Sequence, residues 1–167
     1  MADWVIESFN KAHDRSAFTC GKPVLDDFIR ARVSQYEQRR LGKTFVLVPV
    51  GEQRVIGYYT LAAGAVAFEN LPTAASRKLP KHPVPVILLA RLAIDQSVQA
   101  QRLGERLLLD ALQRAWDLSN KLVAHAVAVD ALDDDAVGFY TRYGFEPLLD
   151  NPRHLYLPMT TIAQVLG

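Results

Sequence analysis

Two nearly continuous apolar runs, each followed by a helical pattern, most constrain how this chain can fold. They span residues 86–94 (VILLARLAI) and residues 122–129 (LVAHAVAV). Strands that are buried on both faces have this composition, and a helix after each strand is typical of parallel pairing. Apolar residues after the first run recur with a helical period, at Leu103, Leu107, Leu108, Ala111, Leu112 and Ala115. The runs therefore predict a mixed α/β fold that contains a parallel pair of strands.

The first half of the chain predicts a helix and a hairpin. Apolar residues recur at helical spacing between Pro23, which suits the first turn of a helix, and Gly42, where we expect the helix to end. Residues 44–50 and 55–63 are largely apolar with a turn between them, which predicts an antiparallel hairpin. The four prolines in residues 69–85 indicate a loop.

The second half predicts a further helix and two short strands. Asp133 suits the N-cap of a helix that ends at Gly144. Strands are expected near residues 145–148 and 154–158, which gives a central sheet of about six or seven strands flanked by helices. No repeat or low-complexity tract interrupts the sequence, so we expect a single domain over residues 1–167.

The charge of the chain is nearly balanced, with 19 basic and 18 acidic residues. No global field therefore attracts nucleic acid or an anionic membrane. Residues 70–91 nevertheless carry four cations and no acid, and the cations are Arg77, Lys78, Lys81 and Arg91. This segment is either a solvated surface or a basic surface for a polyanion.

Other features exclude several classes of protein. The single cysteine, Cys20, excludes an intramolecular disulfide framework and suits a reducing compartment. No apolar run is long enough to span a bilayer, and residues 1–4 lack the pattern of a signal peptide, so we expect a cytoplasmic protein. The four histidines are scattered, so no metal site is expected. Neither a nucleophile elbow nor a Walker lysine loop is present.

Two motifs carry the functional information. Residues 99–104 (QAQRLG) connect the first apolar run to its helix, and the N–H groups of such a helix start form a cradle for a pyrophosphate. Residues 136–145 (AVGFYTRYGF) follow one strand later. Together they resemble the GNAT acetyltransferase superfamily, whose pyrophosphate motif has its marked positions at Gln99, Arg102 and Gly104. The resemblance implies a GNAT fold and acetyl-CoA as the co-substrate.

Arg102 departs from the family pattern because a glycine is usual at its position. Arginine does not allow the same close backbone approach to a phosphate, whereas its guanidinium could pair with one. The resemblance assigns further cofactor contacts to Leu92, Ala93, Ile94, Gln99, Ala100, Gln101, Leu103, Gly104, Asp133, Ala136 and Phe139. Asp133, where many family members have asparagine, is interpreted first as a helix cap.

Six blocks along the chain resemble a narrower group, the GNAT toxins of bacterial toxin–antitoxin pairs. The blocks are residues 18–21 (FTCG) with 25–26 (LD), 57–61 (GYYTL), 83–85 (PVP), 89–95 (LARLAID), 129–131 (VDA) and 157–159 (LPM). This resemblance implies acetylation of the α-amino group of aminoacyl-tRNA, which stops translation. It also implies a homodimer and a ribbon-helix-helix antitoxin as partner. Contact with DNA would be made only through this antitoxin.

The resemblance gives Tyr140 the role of general acid, which protonates the thiolate as it leaves. A tyrosine beside other aromatic residues is in general more often part of a core. Backbone N–H groups near Leu92 and Ile94 would polarise the thioester carbonyl. No carboxylate offers itself as a general base, which favours an α-amine acceptor because its pKa lies near 8. In this interpretation Arg77, Lys78, Lys81 and Arg91 contact the tRNA backbone.

Two alternatives of other kinds stay open. The chain could acetylate a small amine or a protein N-terminus, or it could be a CoA-binding module that has lost catalysis. Arrest of cell-free translation that depends on acetyl-CoA would separate the toxin from the ordinary enzyme. Titration with acetyl-CoA would identify the module by its very weak binding.

Overall fold

The structure, a computed structural model, describes residues 3–166. Its seven strands are β1 (Trp4–Ser8), β2 (Lys43–Pro49), β3 (Gly57–Val66), β4 (Val84–Ile94), β5 (Ala126–Asp130), β6 (Glu146–Pro147) and β7 (His154–Pro158). Its helices are α1 (Pro23–Asp27), α2 (Val33–Gln38), α3 (Thr73–Ser76), α4 (Leu103–Ser119), α5 (Asp134–Arg142) and α6 (Met159–Leu166). The strands are hydrogen-bonded in the order β1-β2-β3-β4-β5-β7-β6, which confirms the mixed α/β class and the expected number of strands.

The chain forms two compact units. Unit 1 consists of Met1–Ala62 and Ala90–Ala111, and unit 2 consists of Ala63–Leu89 and Leu112–Gly167. Among the described residues, no helix is both long and apolar enough to cross a membrane. The single domain expected over residues 1–167 stays a prediction.

In unit 1, the predicted hairpin is present and is extended by a strand that the sequence did not indicate. β2 pairs antiparallel with β3, from Lys43 opposite Leu61 to Leu47 opposite Gly57. β1 pairs antiparallel with β2 along its whole length. Its five residues are only half-buried or exposed and do not alternate, so neither of the patterns that reveal strands is present in them.

The helix expected between Pro23 and Gly42 is one continuous helical stretch with a wider turn in its middle. A π-helical segment, Phe28–Arg32, joins α1 to α2. Such a segment frees carbonyl groups from the α-helical pattern, and the Ile29 carbonyl accepts a hydrogen bond from the Arg15 guanidinium at 3.2 Å. The Arg30 guanidinium donates in turn to the Phe18 carbonyl. Two arginines therefore fasten the preceding loop to this helix.

The helix does not end at Gly42, which corrects the sequence prediction. It ends at Gln38, and Arg40 adopts the left-handed conformation with a φ of 57°. The N–H of Arg40 donates to the Glu37 carbonyl and that of Leu41 to the Tyr36 carbonyl, at 3.2 and 3.0 Å. This is the Schellman arrangement, in which glycine is the usual left-handed residue. The glycine therefore lies two residues beyond the stop that it was expected to make.

In unit 2, the predicted parallel pair is present but its second strand is shorter than expected. β4 pairs with β5 from Val86 opposite Ala126 to Leu89 opposite Val129. The strand begins at Ala126 instead of residue 122, because Leu122 and Val123 belong to the preceding loop and are 81% and 78% exposed. Their apolar side chains made the run look longer than the strand.

The end of the chain in unit 2 closes the sheet and adds one helix. β7 pairs antiparallel with β5, and β6 pairs antiparallel with β7. These are the two short strands that the sequence predicted near residues 145–148 and 154–158. α5 is followed by Gly144 at a φ of 96°, a left-handed position that confirms the predicted stop. α6 was not predicted, although Met159 and Ile162 are buried at helical spacing.

Candidate functional site

Three of the predicted cofactor contacts lie at the end of β4 in unit 1. Ala93 and Ile94 are buried and Leu92 is half-buried. Asp95 follows them and caps a 3₁₀ turn, Gln96–Gln101, by accepting a hydrogen bond from the N–H of Ser97 at 3.0 Å. It also accepts one from the N–H of Thr19, in the loop before α1, at 2.9 Å. Burial acts to raise the pKa of Asp95, but these hydrogen bonds outweigh it and lower the pKa. Asp95 is therefore ionised at neutral pH and fixes the turn that leads into α4.

The turn ends at Arg102, whose φ of 56° lies in the left-handed region. The Arg102 carbonyl accepts a hydrogen bond from the N–H of Arg106 at 3.3 Å, which starts the bonding pattern of α4. The N–H groups of Leu103 and Gly104 precede that bond and belong to the helix start, where the helix dipole favours anions. Among residues 3–166, none bonds to the exposed Arg102 guanidinium. A helix start and an available guanidinium fit a phosphate group.

Gln99 is oriented toward the protein. Its Nε2 donates hydrogen bonds to the carbonyls of Ile94 and Cys20, at 3.0 and 3.2 Å. Its side chain thereby ties the end of β4 to the loop before α1. Ala100 and Gln101 are exposed in the same turn. The marked glutamine of the motif shapes the turn, and its amide hydrogens are already used there.

Arg91 lies in unit 1 on β4, next to the predicted cofactor contacts. Its guanidinium carbon lies 3.8 Å from the centre of the Phe28 ring and 5.0 Å from that of Tyr36. These rings stand at the start of the π-helical segment and in α2. The sequence showed both aromatic residues at helical spacing but gave no sign that they support a cation. Arg91 is thus held by aromatic faces and is half-buried.

The other three predicted tRNA contacts lie together in unit 2. Arg77, Lys78 and Lys81 are exposed and follow the single helical turn of α3. Within the described part of the chain, none of them forms an ion pair with an acid. The structure therefore gathers these three cations on one loop, whereas Arg91 belongs to the other unit.

The start of α5 in unit 2 has the predicted cap. The Asp133 carboxylate accepts a hydrogen bond from the N–H of Ala136 at 2.9 Å, and its backbone is extended. Asp133 as an N-cap is therefore confirmed, and its contact with a cofactor stays a prediction. Ala136 and Phe139 are both half-buried along the helix that it starts.

Tyr140 is the buried aromatic residue of α5, with 7% of its surface exposed. Its ring packs edge-on against Phe139 and Phe145, with centres 5.2 and 5.4 Å apart. Burial raises the pKa of Tyr140 above that of a free phenol, so the hydroxyl is protonated throughout the neutral range. No residue between 3 and 166 is hydrogen-bonded to this hydroxyl. It is therefore a proton-bearing donor whose hydrogen bond no described residue takes up.

Comparison with known proteins identifies a family and a similar relative. The family described as the acetyltransferase (GNAT) domain matches residues 24–156. A "tRNA-acetylating toxin" of Mycobacterium tuberculosis is 38% identical over 156 residues, which cover 93% of this chain and 92% of that protein.

Two solved structures are similar over nearly the full length of the chain. AtaT complexed with acetyl-methionyl-tRNAfMet superposes with a TM-score of 0.92 and 29% identity, covering 99% of this chain and 100% of AtaT. A tyrosine-to-phenylalanine mutant of AtaT, bound to the C-terminus of the antitoxin AtaR and to acetyl-CoA, has a TM-score of 0.84 and 27% identity. That comparison covers 99% of each chain.

Proposed function

The chain belongs to the GNAT acetyltransferase family, and from that membership we propose that it moves the acetyl group of acetyl-CoA to the α-amino group of an aminoacyl-tRNA. One observation carries the choice of acceptor: the 38% identity, over 93% of the chain, to a protein named for acetylating tRNA. The tRNA complex of AtaT, a structural neighbour, supports the same class of acceptor. Modification of the amino group blocks translation, which makes the protein a toxin.

The helix start of α4 supports acetyl-CoA as the donor. The N–H groups of Leu103 and Gly104, together with the Arg102 guanidinium, would hold its pyrophosphate. Backbone N–H groups of Leu92 and Ile94 would donate to the thioester carbonyl and stabilise the charge that develops there. Acetyl-CoA supplies the activated acetyl group. Ala93, Gln99, Ala100, Gln101, Asp133, Ala136 and Phe139 complete the proposed cofactor contacts.

Tyr140 is proposed as the donor to the leaving sulfur. The acceptor nitrogen forms a bond to the acetyl carbon, the carbon–sulfur bond breaks, and the thiolate takes a proton from the Tyr140 hydroxyl. The proton lost by the amine returns to the phenolate through water, so the products are an amide and a thiol. The assignment is supported by a hydroxyl that carries its proton at neutral pH and to which no described residue is hydrogen-bonded. An esterified α-amine needs little help to lose its proton, because its pKa lies below about 8.

The partners of the chain are proposed on the same basis. Arg77, Lys78 and Lys81, exposed on one loop, would contact tRNA phosphates. A ribbon-helix-helix antitoxin would bind the toxin and carry any contact with DNA, in keeping with the antitoxin complex of AtaT. We further propose a homodimer, a single domain over residues 1–167 and a cytoplasmic location.

Cell-free translation tests the proposal. The purified protein should arrest synthesis only when acetyl-CoA is present, and acetylated aminoacyl-tRNA should accumulate. An enzyme for small amines would leave synthesis unchanged while it consumes acetyl-CoA with an amine. A module without catalysis would neither arrest synthesis nor bind acetyl-CoA. Synthesis that continues in the presence of acetyl-CoA would overturn the proposal.

Tyr140→Phe is the matched variant for the chemistry. It keeps the ring that packs against Phe139 and Phe145, and it removes a hydroxyl to which no described residue is bonded. The melting temperature should therefore be unchanged, and turnover should fall by about a hundred- to ten-thousand-fold. Acetyl-CoA affinity, measured by calorimetry, should stay the same. A well-folded variant with full activity would remove Tyr140 from the mechanism.

A further inference from the structure

Arg91 is a half-buried cation to which no described residue supplies an anion. Among residues 3–166, none forms an ion pair or a hydrogen bond with its guanidinium. Its contacts are the Phe28 ring at 3.8 Å and the Tyr36 ring at 5.0 Å. Charged groups that are withdrawn from water normally have a charged or hydrogen-bonding partner, which is missing here. The guanidinium can therefore accept an anion from outside the described chain.

The geometry of the contact indicates which kind of anion. A guanidinium that lies over an aromatic ring commonly stacks on it, which leaves the N–H donors along its edges available. Those donors form a rigid planar fork, which matches two oxygens of one phosphate or carboxylate. The aromatic support fixes the orientation of the fork before the anion arrives, so less side-chain entropy is lost on binding. The site is preorganised for one oxyanion.

The position of Arg91 indicates that the anion belongs to the acceptor. Arg91 immediately precedes Leu92, whose backbone N–H is proposed to hold the thioester carbonyl. Side chains alternate along a strand, and Ala93 packs in the same core cluster as Phe28 and Tyr58. Arg91 therefore lies on the helix-covered face of β4, within reach of a substrate that approaches the reacting carbonyl from that face. The pyrophosphate cradle, by contrast, is formed at the start of α4.

We propose that Arg91, held on Phe28 and Tyr36, binds the phosphate of the terminal nucleotide of the acceptor. It thereby selects an amino group that is linked to the end of an RNA over a free amine. This proposal rests on the function proposed above. The aminoacyl ester lies on the terminal ribose, and the same nucleotide carries the phosphate that Arg91 would bind. Arg91 is thus a specificity-determining residue, while the basic loop contributes affinity along the RNA.

The test compares two minimal acceptors that differ by one phosphate. They are a 3′-aminoacyl adenosine and the same molecule with a 5′-phosphate, each used with acetyl-CoA. The wild type should use the phosphorylated acceptor with a kcat/KM about 10- to 100-fold higher, as expected for a charge-assisted hydrogen-bonded pair. In Arg91→Gln this ratio should fall to about one. Arg91→Lys, which keeps the charge but loses the planar fork, should retain part of the ratio.

A matched control separates this site from general electrostatics. Arg39→Gln removes an exposed positive charge at the end of α2 in the same unit. It should leave the ratio between the two minimal acceptors unchanged. Acetyl-CoA affinity should be unchanged in every variant.

The outcomes distinguish this proposal from the one on which it rests. A wild type that acetylates both minimal acceptors equally would overturn the role of Arg91 while acetylation of aminoacyl ends stands. Equal losses on both acceptors in Arg91→Gln would also overturn it, since they would show a purely structural role. A wild type that acetylates no aminoacyl acceptor would overturn both proposals. If Arg91→Gln fails to fold, the wild-type ratio and Arg91→Lys still decide.

Discussion

The role of Arg102 in the pyrophosphate motif can be tested with Arg40 as a matched control. Both are exposed arginines of unit 1 in the left-handed region, with φ values of 56° and 57°. Arg102 stands at the start of α4, where the cofactor phosphate is proposed to bind, and Arg40 ends the α2 region. Replacing each by glycine changes the backbone in the same way, and only one replacement affects the proposed phosphate site.

The effect on stability follows from two opposing contributions. The left-handed conformation costs a residue with a Cβ atom about 1–2 kcal/mol. Glycine avoids this cost, but its greater freedom in the unfolded chain offsets about 0.4–1 kcal/mol of the gain. We therefore expect Arg102→Gly and Arg40→Gly each to raise the free energy of unfolding by about 0.5–1 kcal/mol. This corresponds to about 1–4 °C in melting temperature.

The effect on acetyl-CoA binding should differ between the two variants. Arg102→Gly removes the proposed charge-assisted pair with the pyrophosphate, so its affinity should fall by about 1.5–3 kcal/mol, or roughly 10- to 150-fold. The N–H groups of Leu103 and Gly104 remain at the helix start, so binding should weaken without being abolished. Arg40→Gly should bind acetyl-CoA as the wild type does.

Calorimetric titration and thermal melting of the three proteins check this reasoning. Tighter binding of acetyl-CoA by Arg102→Gly would refute the pairing and show that close backbone approach matters more at this position. A loss of stability in Arg102→Gly, beside a gain in Arg40→Gly, would refute the assumption that the two backbones carry equal strain.

Three further predictions concern other parts of the chain. The first replaces the three loop cations together by alanine, at Arg77, Lys78 and Lys81. The slope of log affinity for tRNA against log salt concentration should then become less steep by roughly 0.7–0.9 for each tRNA phosphate that the loop no longer neutralises. Acetyl-CoA affinity should not change. An unchanged slope would show that the loop is only solvated. Gly138 lies in α5 with open space where a Cβ atom would stand, so Gly138→Ala should raise the free energy of unfolding by about 0.5–1 kcal/mol in denaturant titrations. Burial, aided by Asp26, raises the pKa of Cys20 to about 11. Alkylation of the native thiol should therefore be slow at pH 8 and accelerate as the pH approaches 11. Rapid labelling at pH 8 would contradict this.

Much of the fold followed from the sequence because hydrophobic burial leaves a periodic trace. β4, the β2–β3 hairpin and the stripe of α4 all have such a trace, and the structure confirms them. β1 has none, because its five residues are at most half-buried. The start of β5 was wrong for the opposite reason, since exposed Leu122 and Val123 prolong an apolar run without being part of the strand. Hydrophobicity predicted the elements better than it predicted their ends.

Some features of the candidate site could be predicted from the sequence, and others could not. The cap at Asp133 and the turn before α4 follow from local chemistry, so they could be predicted from a few adjacent residues. The support of Arg91 by Phe28 depends on residues that are far apart in sequence, and no local pattern announces it. The left-handed conformation of Arg102 lies between these cases. The family's usual glycine indicated a special backbone, but only the structure shows that an arginine adopts it.

The environment of Tyr140 limits what its hydroxyl can do. Efficient proton transfer calls for a pKa near the operating pH, and burial moves the pKa of this phenol in the other direction. A phenol with a raised pKa is a poor acid toward a thiolate in a fully formed state, yet it remains a good donor to charge that is still developing on sulfur. No described residue competes for that hydrogen bond. In the proposed mechanism the hydroxyl would therefore act chiefly by stabilising the transition state, and its proton would follow the electrons as the carbon–sulfur bond breaks.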